Sequence, residues 1–187
     1  MRISRPLLTA MTLLFVLLGT AACAADDRNV SPATGTSGAT SAATPAPDRT
    51  STASAGKLAF TGTTLDGKPF SAATLAGKPV LLWFWAPWCP TCHAEAPDVL
   101  SVQQVYAGRI GILGVAGLDD LNNMQPFVDR TMTAAITHLG DPDGAIWRRF
   151  EVTQQSTYVL LDAQGNVTFT GVIGGDELRD KVAALIG

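Results

Sequence analysis

The most constraining feature of the sequence is an apolar run, residues 80–86, that leads into Cys89-Pro-Thr-Cys92. Seven consecutive apolar residues are typical of a strand covered on both faces, as in the middle of a parallel or mixed sheet. Pro87 and Trp88 follow and end the strand. The chain is therefore expected to build an α/β core with two cysteines at the exit of its central strand.

A helix is predicted directly after that strand, from Thr91 to Tyr106, with Pro90 in its first turn, where a missing N–H costs nothing. Its buried stripe is predicted to consist of Ala94, Val99, Leu100, Val102 and Val105. Cys89 lies at the positive end of the helix dipole, which favours a nucleophilic thiolate. Cys92 is close enough to attack a mixed disulfide at Cys89. The local chemistry is therefore thiol–disulfide exchange.

The stretch Trp83-Phe-Trp-Ala-Pro-Trp-Cys-Pro-Thr-Cys92 resembles the active site of the thioredoxin superfamily, and Pro97 matches its helix-kinking proline. Residues 59–70 and 75–79 are similar to the N-terminal hairpin of the TlpA/ResA/DsbE branch. The secreted DsbE-like and DsbF-like oxidoreductases of actinobacteria are the nearest group. The resemblance covers about residues 57–187. It implies a thioredoxin-like three-layer α/β sandwich with an N-terminal β-hairpin extension.

Turn and periodicity signals predict the remaining elements of this domain. The predicted strands are 58–63, 68–70, 80–86, 110–116, 135–138, 157–161 and 167–170, and the further helices are 119–132, 145–150 and 176–186, the last capped by Asp176.

The N-terminal region predicts export. Two arginines precede an apolar stretch, residues 7–18, as in a signal peptide that is too short to span a bilayer comfortably. Leu18-Gly-Thr-Ala-Ala-Cys23 resembles a bacterial lipobox, although Thr20 departs from the preferred leucine. We expect residues 1–23 to be a signal peptide with Cys23 lipidated, and 24–56 to be a disordered tether. Ordinary cleavage without lipidation is the alternative. The net charge of −3 gives no basic patch for nucleic acid.

Several site residues are expected around the cysteine pair. Glu95 lies one turn past Cys92, where the TlpA/ResA/DsbE branch also has a glutamate, and partial burial would raise its pKa and suit it to relay a proton. The substrate is expected to contact Trp88, Pro90 and Thr91. The acid that thioredoxin buries in the central strand is replaced by Trp83, which leaves Glu95 as the nearby carboxylate.

The loop that faces the cysteines departs from the family pattern. Thioredoxin-like proteins have a cis-proline there, whereas alignment of residues 157–162 puts Ser156 at that position. We expect Gln155 and Ser156 to pack beside the cysteines and contact the substrate, with a trans bond between them because a cis bond before a non-proline residue costs about 2.5–4 kcal/mol. The Ser156 hydroxyl is expected to donate a hydrogen bond to a sulfur.

The cysteine motif can also be compared with three other kinds of site. Cys89-Pro-Thr-Cys-His93 also reads as the c-type haem motif, with Met124, Met132 or His138 as the distal ligand. A peroxiredoxin-like peroxidase would have Thr where Ala86 stands. A structural zinc site lacks a second cysteine pair, so no metal is expected.

These inferences predict an exported thiol–disulfide oxidoreductase that needs no cofactor beyond its own Cys89–Cys92 disulfide. The DsbE-like resemblance implies an oxidase for exported cysteine-containing proteins, reset by a membrane redox partner and anchored to the outer face of the cell membrane by lipid. The wider TlpA/ResA branch implies a reductase in cytochrome c maturation, and the direction of electron flow stays open.

Overall fold

The computed structural model describes residues 56–187. The predicted signal peptide, Cys23 and the tether up to residue 55 lie outside the described residues. Gly56, the last residue of the predicted tether, begins the first 3-10 turn. Among the described residues, none of the helices has the length and apolar character needed to cross a bilayer.

Seven strands and four α-helices make up the domain. The strands are β1 (Thr61–Thr64), β2 (Pro69–Ser71), β3 (Val80–Trp85), β4 (Gly111–Ala116), β5 (Thr137–Gly140), β6 (Thr157–Leu161) and β7 (Val167–Gly171). The helices are α1 (Pro90–Val105), α2 (Leu121–Thr131), α3 (Ala145–Arg149) and α4 (Gly175–Ile186), with 3-10 turns at Gly56–Leu58 and Ala72–Leu75.

All strands join one sheet in the order β2-β1-β5-β4-β3-β6-β7. β3, β4 and β5 are parallel, and the other neighbours are antiparallel. Every residue of β3 and β4 is buried, which confirms the predicted central strand. One face of the sheet packs with α1, α2 and α4, and the other with α3 and the 3-10 turns. This is the three-layer sandwich with an N-terminal hairpin that the sequence predicts.

Several predicted boundaries differ from the structure by one or more residues, and three of them have a clear local reason. The first strand begins at Thr61, because the chain turns at 56–58 and buries Leu58 before it extends. The fifth strand begins at Thr137 rather than at residue 135, because a turn closed by Ile136 N–H to Thr133 O occupies the preceding residues. Gly174, not Asp176, is the N-cap of α4, since its carbonyl accepts the Leu178 N–H at 2.9 Å.

The buried face of α1 also differs from the predicted stripe. Ala94 and Val105 face solvent, and Val105 is 67 % exposed. The residues that α1 buries are Cys92, Glu95, Ala96, Val99 and Val102. Their spacing of three and four is helical, so the prediction of a helix is confirmed. The helix is turned about its axis relative to the predicted orientation, and as a result the Glu95 carboxyl group is buried.

Candidate active site

The two cysteines lie at the N-terminus of α1, and a disulfide joins them. Cys89 is the N-cap residue, with an extended backbone at φ −81° and ψ 111°. Its Sγ accepts a hydrogen bond from the backbone N–H of Cys92 at 3.0 Å. Pro90 begins the helix, as predicted. An N–H donor and the helix dipole together stabilise negative charge on the Cys89 sulfur when the disulfide opens.

Access to the disulfide is unequal. Cys89 keeps 2 % of its surface exposed, whereas Cys92 is fully buried. Trp88, Pro90 and Thr91 are exposed around Cys89. Of the two sulfur-bearing residues, Cys89 is therefore the more accessible, and the division into a nucleophilic and a resolving cysteine stays a prediction.

An apolar rim formed by Trp88 and Leu118 borders the pair. Trp88 is 53 % exposed and its indole N–H donates to the carbonyl oxygen of Leu118 at 3.2 Å. Leu118 is 49 % exposed and has φ 59°, a left-handed conformation that is uncommon for leucine. Leu118 is not among the site residues predicted from the sequence. The available signal is that it follows β4, whose carboxyl end meets that of β3 in the parallel pair Trp85–Ala116.

Glu95 is inside the domain, one helical turn from Cys92. Only 7 % of the residue is exposed. Burial raises the pKa of this carboxyl group above its usual value, while the nearby Ser156, Tyr158 and Trp83 donors lower it in part. The predicted upward change in pKa is therefore present in the structure. A buried carboxyl group that can hold or release a proton near a cysteine is suited to proton transfer during disulfide exchange.

Ser156 lies at the start of β6, opposite the carboxyl end of β3. Its backbone N–H donates to the carbonyl oxygen of Phe84 at 2.8 Å, and its φ is 67°. The predicted hydrogen bond to a sulfur is absent: Ser156 Oγ is buried without a hydrogen-bond partner among the described residues, and it lies beside Glu95. Proline could not occupy this position as it stands, because its φ is fixed near −65° and it has no N–H. Gln155, just before it, is half-buried.

Trp85, the last residue of β3, packs in a buried aromatic cluster with Phe127 and His138. Trp85 stacks on Phe127 with ring centroids 4.0 Å apart, and its Nε1–H donates to Nδ1 of His138 at 3.1 Å. His138 Nε2 therefore carries the ring proton and donates to the carbonyl oxygen of Thr133 at 3.1 Å. Burial lowers the pKa of His138 to about 4, so the ring is neutral at physiological pH.

The distal ligands considered for a haem are engaged or misplaced. Both ring nitrogens of His138 bond to the protein, Met124 is fully buried in the core, and Met132 is 79 % exposed. Within residues 56–187, no group of three or more His, Cys, Asp or Glu side chains is arranged to hold a metal ion. The geometry around the cysteines favours disulfide exchange over haem attachment.

Comparison with known proteins agrees with this geometry. The model of the Redoxin family matches residues 41–185. The chain is 45 % identical over 135 residues to the soluble secreted antigen MPT53 of Mycobacterium tuberculosis, an alignment that covers 69 % of this chain and 76 % of that protein.

Solved structures give the same result. The structure of M. tuberculosis DsbF, in mixed oxidised and reduced forms, is 46 % identical with a TM-score of 0.65, and covers 69 % of this chain and 96 % of that one. A secreted M. tuberculosis disulfide oxidoreductase described as homologous to E. coli DsbE is 42 % identical with a TM-score of 0.63, and covers 70 % and 98 % of the two chains.

Proposed function

This chain belongs to the Redoxin family and is a thiol–disulfide oxidoreductase of the DsbE and DsbF type, and we propose that it acts outside the cytoplasm to introduce disulfides into exported proteins. The observation that carries the proposal is the Cys89–Cys92 disulfide at the N-terminus of α1, bordered by the exposed Trp88. The Cys89–Cys92 disulfide itself is the oxidant in this reaction. No further cofactor enters the proposed reaction.

In the proposed oxidation, a substrate thiolate attacks Cys89 Sγ. The Cys89–Cys92 bond breaks, a mixed disulfide forms between the substrate and Cys89, and Cys92 leaves as a thiolate. A second substrate thiolate then attacks the substrate sulfur of the mixed disulfide and releases Cys89 as a thiolate. Two electrons pass from the substrate to the cysteine pair, and a membrane partner with an oxidised couple takes them away and restores the disulfide.

Glu95 is proposed to carry the proton in this sequence. Its protonated carboxyl group gives a proton to Cys92 when that sulfur leaves, and takes it back when the pair is reoxidised. The raised pKa supports this role, because a carboxyl group of ordinary pKa holds too little proton at neutral pH.

The proposed substrate contacts come from both sides of the pair. The apolar rim of Trp88 and Leu118 offers contact area to an apolar side chain beside the substrate cysteine. Pro90 and Thr91 are exposed at the start of α1, and Gln155 and Ser156, in the turn before β6, are proposed to contact the substrate as well.

The direction of oxidation is supported by the stabilisation of a Cys89 thiolate. A redox couple whose reduced form is stabilised is a stronger oxidant. The Cys92 N–H at 3.0 Å and the dipole of the sixteen-residue helix α1 both act on that thiolate. The secreted relatives are consistent with work in an oxidising compartment.

A reductase is the second candidate, and Glu95 is the observation that favours it. A buried carboxylate near the pair disfavours thiolate at the same sulfurs and so lowers the oxidising power of the disulfide. A redox titration of the protein against glutathione decides between the two. The oxidase proposal expects a reduction potential well above roughly −270 mV, the value of thioredoxin, and a potential at or below it would establish the reductase.

We also propose that Cys23 is lipidated after removal of the preceding residues and that the tether up to residue 56 holds the domain near the membrane. The lipobox-like sequence supports this reading. In the native host, the protein should fractionate with the membrane and Cys23→Ala should release it. A wild-type protein found wholly in the soluble fraction would end the lipoprotein proposal.

A further inference from the structure

Glu95 and the side chains around it form a buried polar cluster, of which only the Glu95 carboxyl group takes part in the proton transfer proposed above. The cluster consists of Glu95 from α1, Trp83 from β3, Ser156 from the turn before β6, and Tyr158 from β6. Trp83 and Tyr158 are fully buried, and Ser156 exposes 4 % of its surface. Four polar atoms of the cluster are buried without a hydrogen-bond partner among the described residues: Trp83 Nε1, Glu95 Oε2, Ser156 Oγ and Tyr158 OH.

The sheet places these groups together. Trp83 and Tyr158 are directly paired across the antiparallel strands β3 and β6, so their side chains lie side by side on the α1 face. Ser156, in the turn just before β6, has a left-handed backbone and its side chain lies beside Glu95. Thr157, between them, points to the other face, where its hydroxyl donates to the carbonyl oxygen of Gln154 at 2.9 Å.

The chemistry of the cluster is one acid and three donors. Trp83 supplies an N–H, and Ser156 and Tyr158 supply hydroxyl groups. Burial, reinforced by the negative charge of Glu95, raises the pKa of Tyr158 far above its usual value, so the phenol stays protonated. Buried polar groups in folded proteins are almost always hydrogen-bonded. A carboxylate is the one member that can accept from all three donors.

The charged groups nearby do not replace these donors. Asp98, one turn further along α1, is paired with Arg179 of α4 at 2.7 Å, and Asp176 bonds to the same guanidinium. Asp98 raises the pKa of Glu95 rather than lowering it. Cys92, one turn before Glu95 on α1, is held in the disulfide and does not titrate, and Trp83 of β3 has no titratable group.

We propose that Tyr158 and Ser156, together with the Trp83 indole, are positioning residues that hold the Glu95 carboxyl group toward the cysteine pair and stabilise its ionised form. The inference rests on the proton-carrier role proposed for Glu95. These donors allow a carboxyl group buried in an apolar core to release its proton as well as keep it. Ser156 thereby acts on the acid rather than on a sulfur.

The test is a direct titration of Glu95 in protein labelled with ¹³C-glutamate. The chain has only three glutamates, and the other two, Glu151 and Glu177, are exposed, so the buried resonance can be assigned by Glu95→Gln. In the oxidised protein, Tyr158→Phe and Ser156→Ala should each move the Glu95 midpoint to higher pH. Thr157→Val, which removes the intervening hydroxyl from the opposite face, should leave it in place.

The pH–rate profile of disulfide exchange separates the positioning proposal from the proton-carrier role proposed for Glu95. If Tyr158→Phe and Ser156→Ala leave the Glu95 midpoint where it is in the wild type, the positioning proposal is overturned, even when Glu95→Gln changes the profile. If the midpoint moves in both variants but Glu95→Gln leaves the profile unchanged, the donors position Glu95 and the proton-carrier role falls. Both proposals are supported if Tyr158→Phe and Ser156→Ala move the Glu95 midpoint and change the pH–rate profile in the wild-type background, but no longer change the profile in the Glu95→Gln background.

Discussion

His138 should make the stability of the domain depend on pH between about 4 and 6.5. The ring is held neutral because Trp85 donates to Nδ1 and Nε2 donates to Thr133, and burial lowers its pKa from 6.5 to about 4. The unfolded chain binds a proton below pH 6.5, whereas the folded chain does so only near pH 4. The contribution of His138 to the unfolding free energy is therefore fully present above pH 6.5, decreases as the pH drops toward 4, and changes no further below that.

The size of the effect follows from the separation of the two pKa values. At 1.36 kcal/mol for each pH unit, the separation corresponds to roughly 3 kcal/mol of unfolding free energy. With a urea m value of about 1–3 kcal/mol/M, that loss lowers the unfolding midpoint by roughly 1–3 M. Glu95 contributes with the opposite sign, because its raised pKa favours the folded state as the pH falls.

The assay is urea unfolding of the oxidised wild type and of His138→Gln at a series of pH values from 7 to 4. Carboxyl groups elsewhere titrate in both proteins and cancel in the difference, so the free-energy difference between them should shrink by roughly 3 kcal/mol as the pH falls. His93→Gln, which changes the chain's other histidine on α1, should keep the dependence because His138 is intact. Parallel stability curves for the wild type and His138→Gln would refute the reasoning.

Three further predictions test the site and its support. Cys89→Ser should abolish insulin reduction and RNase refolding, whereas Cys92→Ser should accumulate mixed disulfides on non-reducing gels; equal, mild losses would contradict the assigned roles. Trp88→Ala should raise the KM for a protein substrate several-fold and leave the reduction potential unchanged, since the indole bonds to Leu118 and not to a sulfur; a changed potential with an unchanged KM would argue against the rim. Asp141→Ala should cost about 2–3 kcal/mol in urea unfolding, because its carboxylate accepts two buried N–H groups at the start of α3 at 2.9 Å; a loss below roughly 0.5 kcal/mol would show that these groups find other partners.

The strand and the redox motif could be predicted because their signals are local. An unbroken apolar run such as 80–86 is compatible with few structures other than a central strand. Two cysteines in Cys-Pro-Thr-Cys at the start of a helix indicate thiol–disulfide exchange from the residue types alone. Turn and periodicity signals then predicted the remaining elements, and the resemblance to the thioredoxin superfamily implied the layered sandwich. The result was a correct fold and a correct cysteine pair, with boundaries off by a few residues where turns intervene.

The parts that could not be predicted depend on tertiary packing. Hydrophobicity alone placed Val105 inside and gave no reason to bury Glu95 beside three donors, because two of them, Ser156 and Tyr158, lie far away in the chain. For the same reason, Tyr158 has no local signal in the sequence that would mark it as a site residue. The left-handed backbone at Ser156 has no local sequence signal either, and the residue type suggested only a hydroxyl near a sulfur.

The backbone at Ser156 limits how this position can evolve. With φ at 67° and its N–H bonded to Phe84, the site tolerates glycine or asparagine in place of serine, since both adopt left-handed conformations readily. Proline requires a different backbone conformation at this position. A single substitution of serine by proline would therefore leave the loop strained. Lineages that exchange serine and proline at this position should therefore also differ in the residues just before it, and an active-site loop of the proline type would have to be transplanted as a unit.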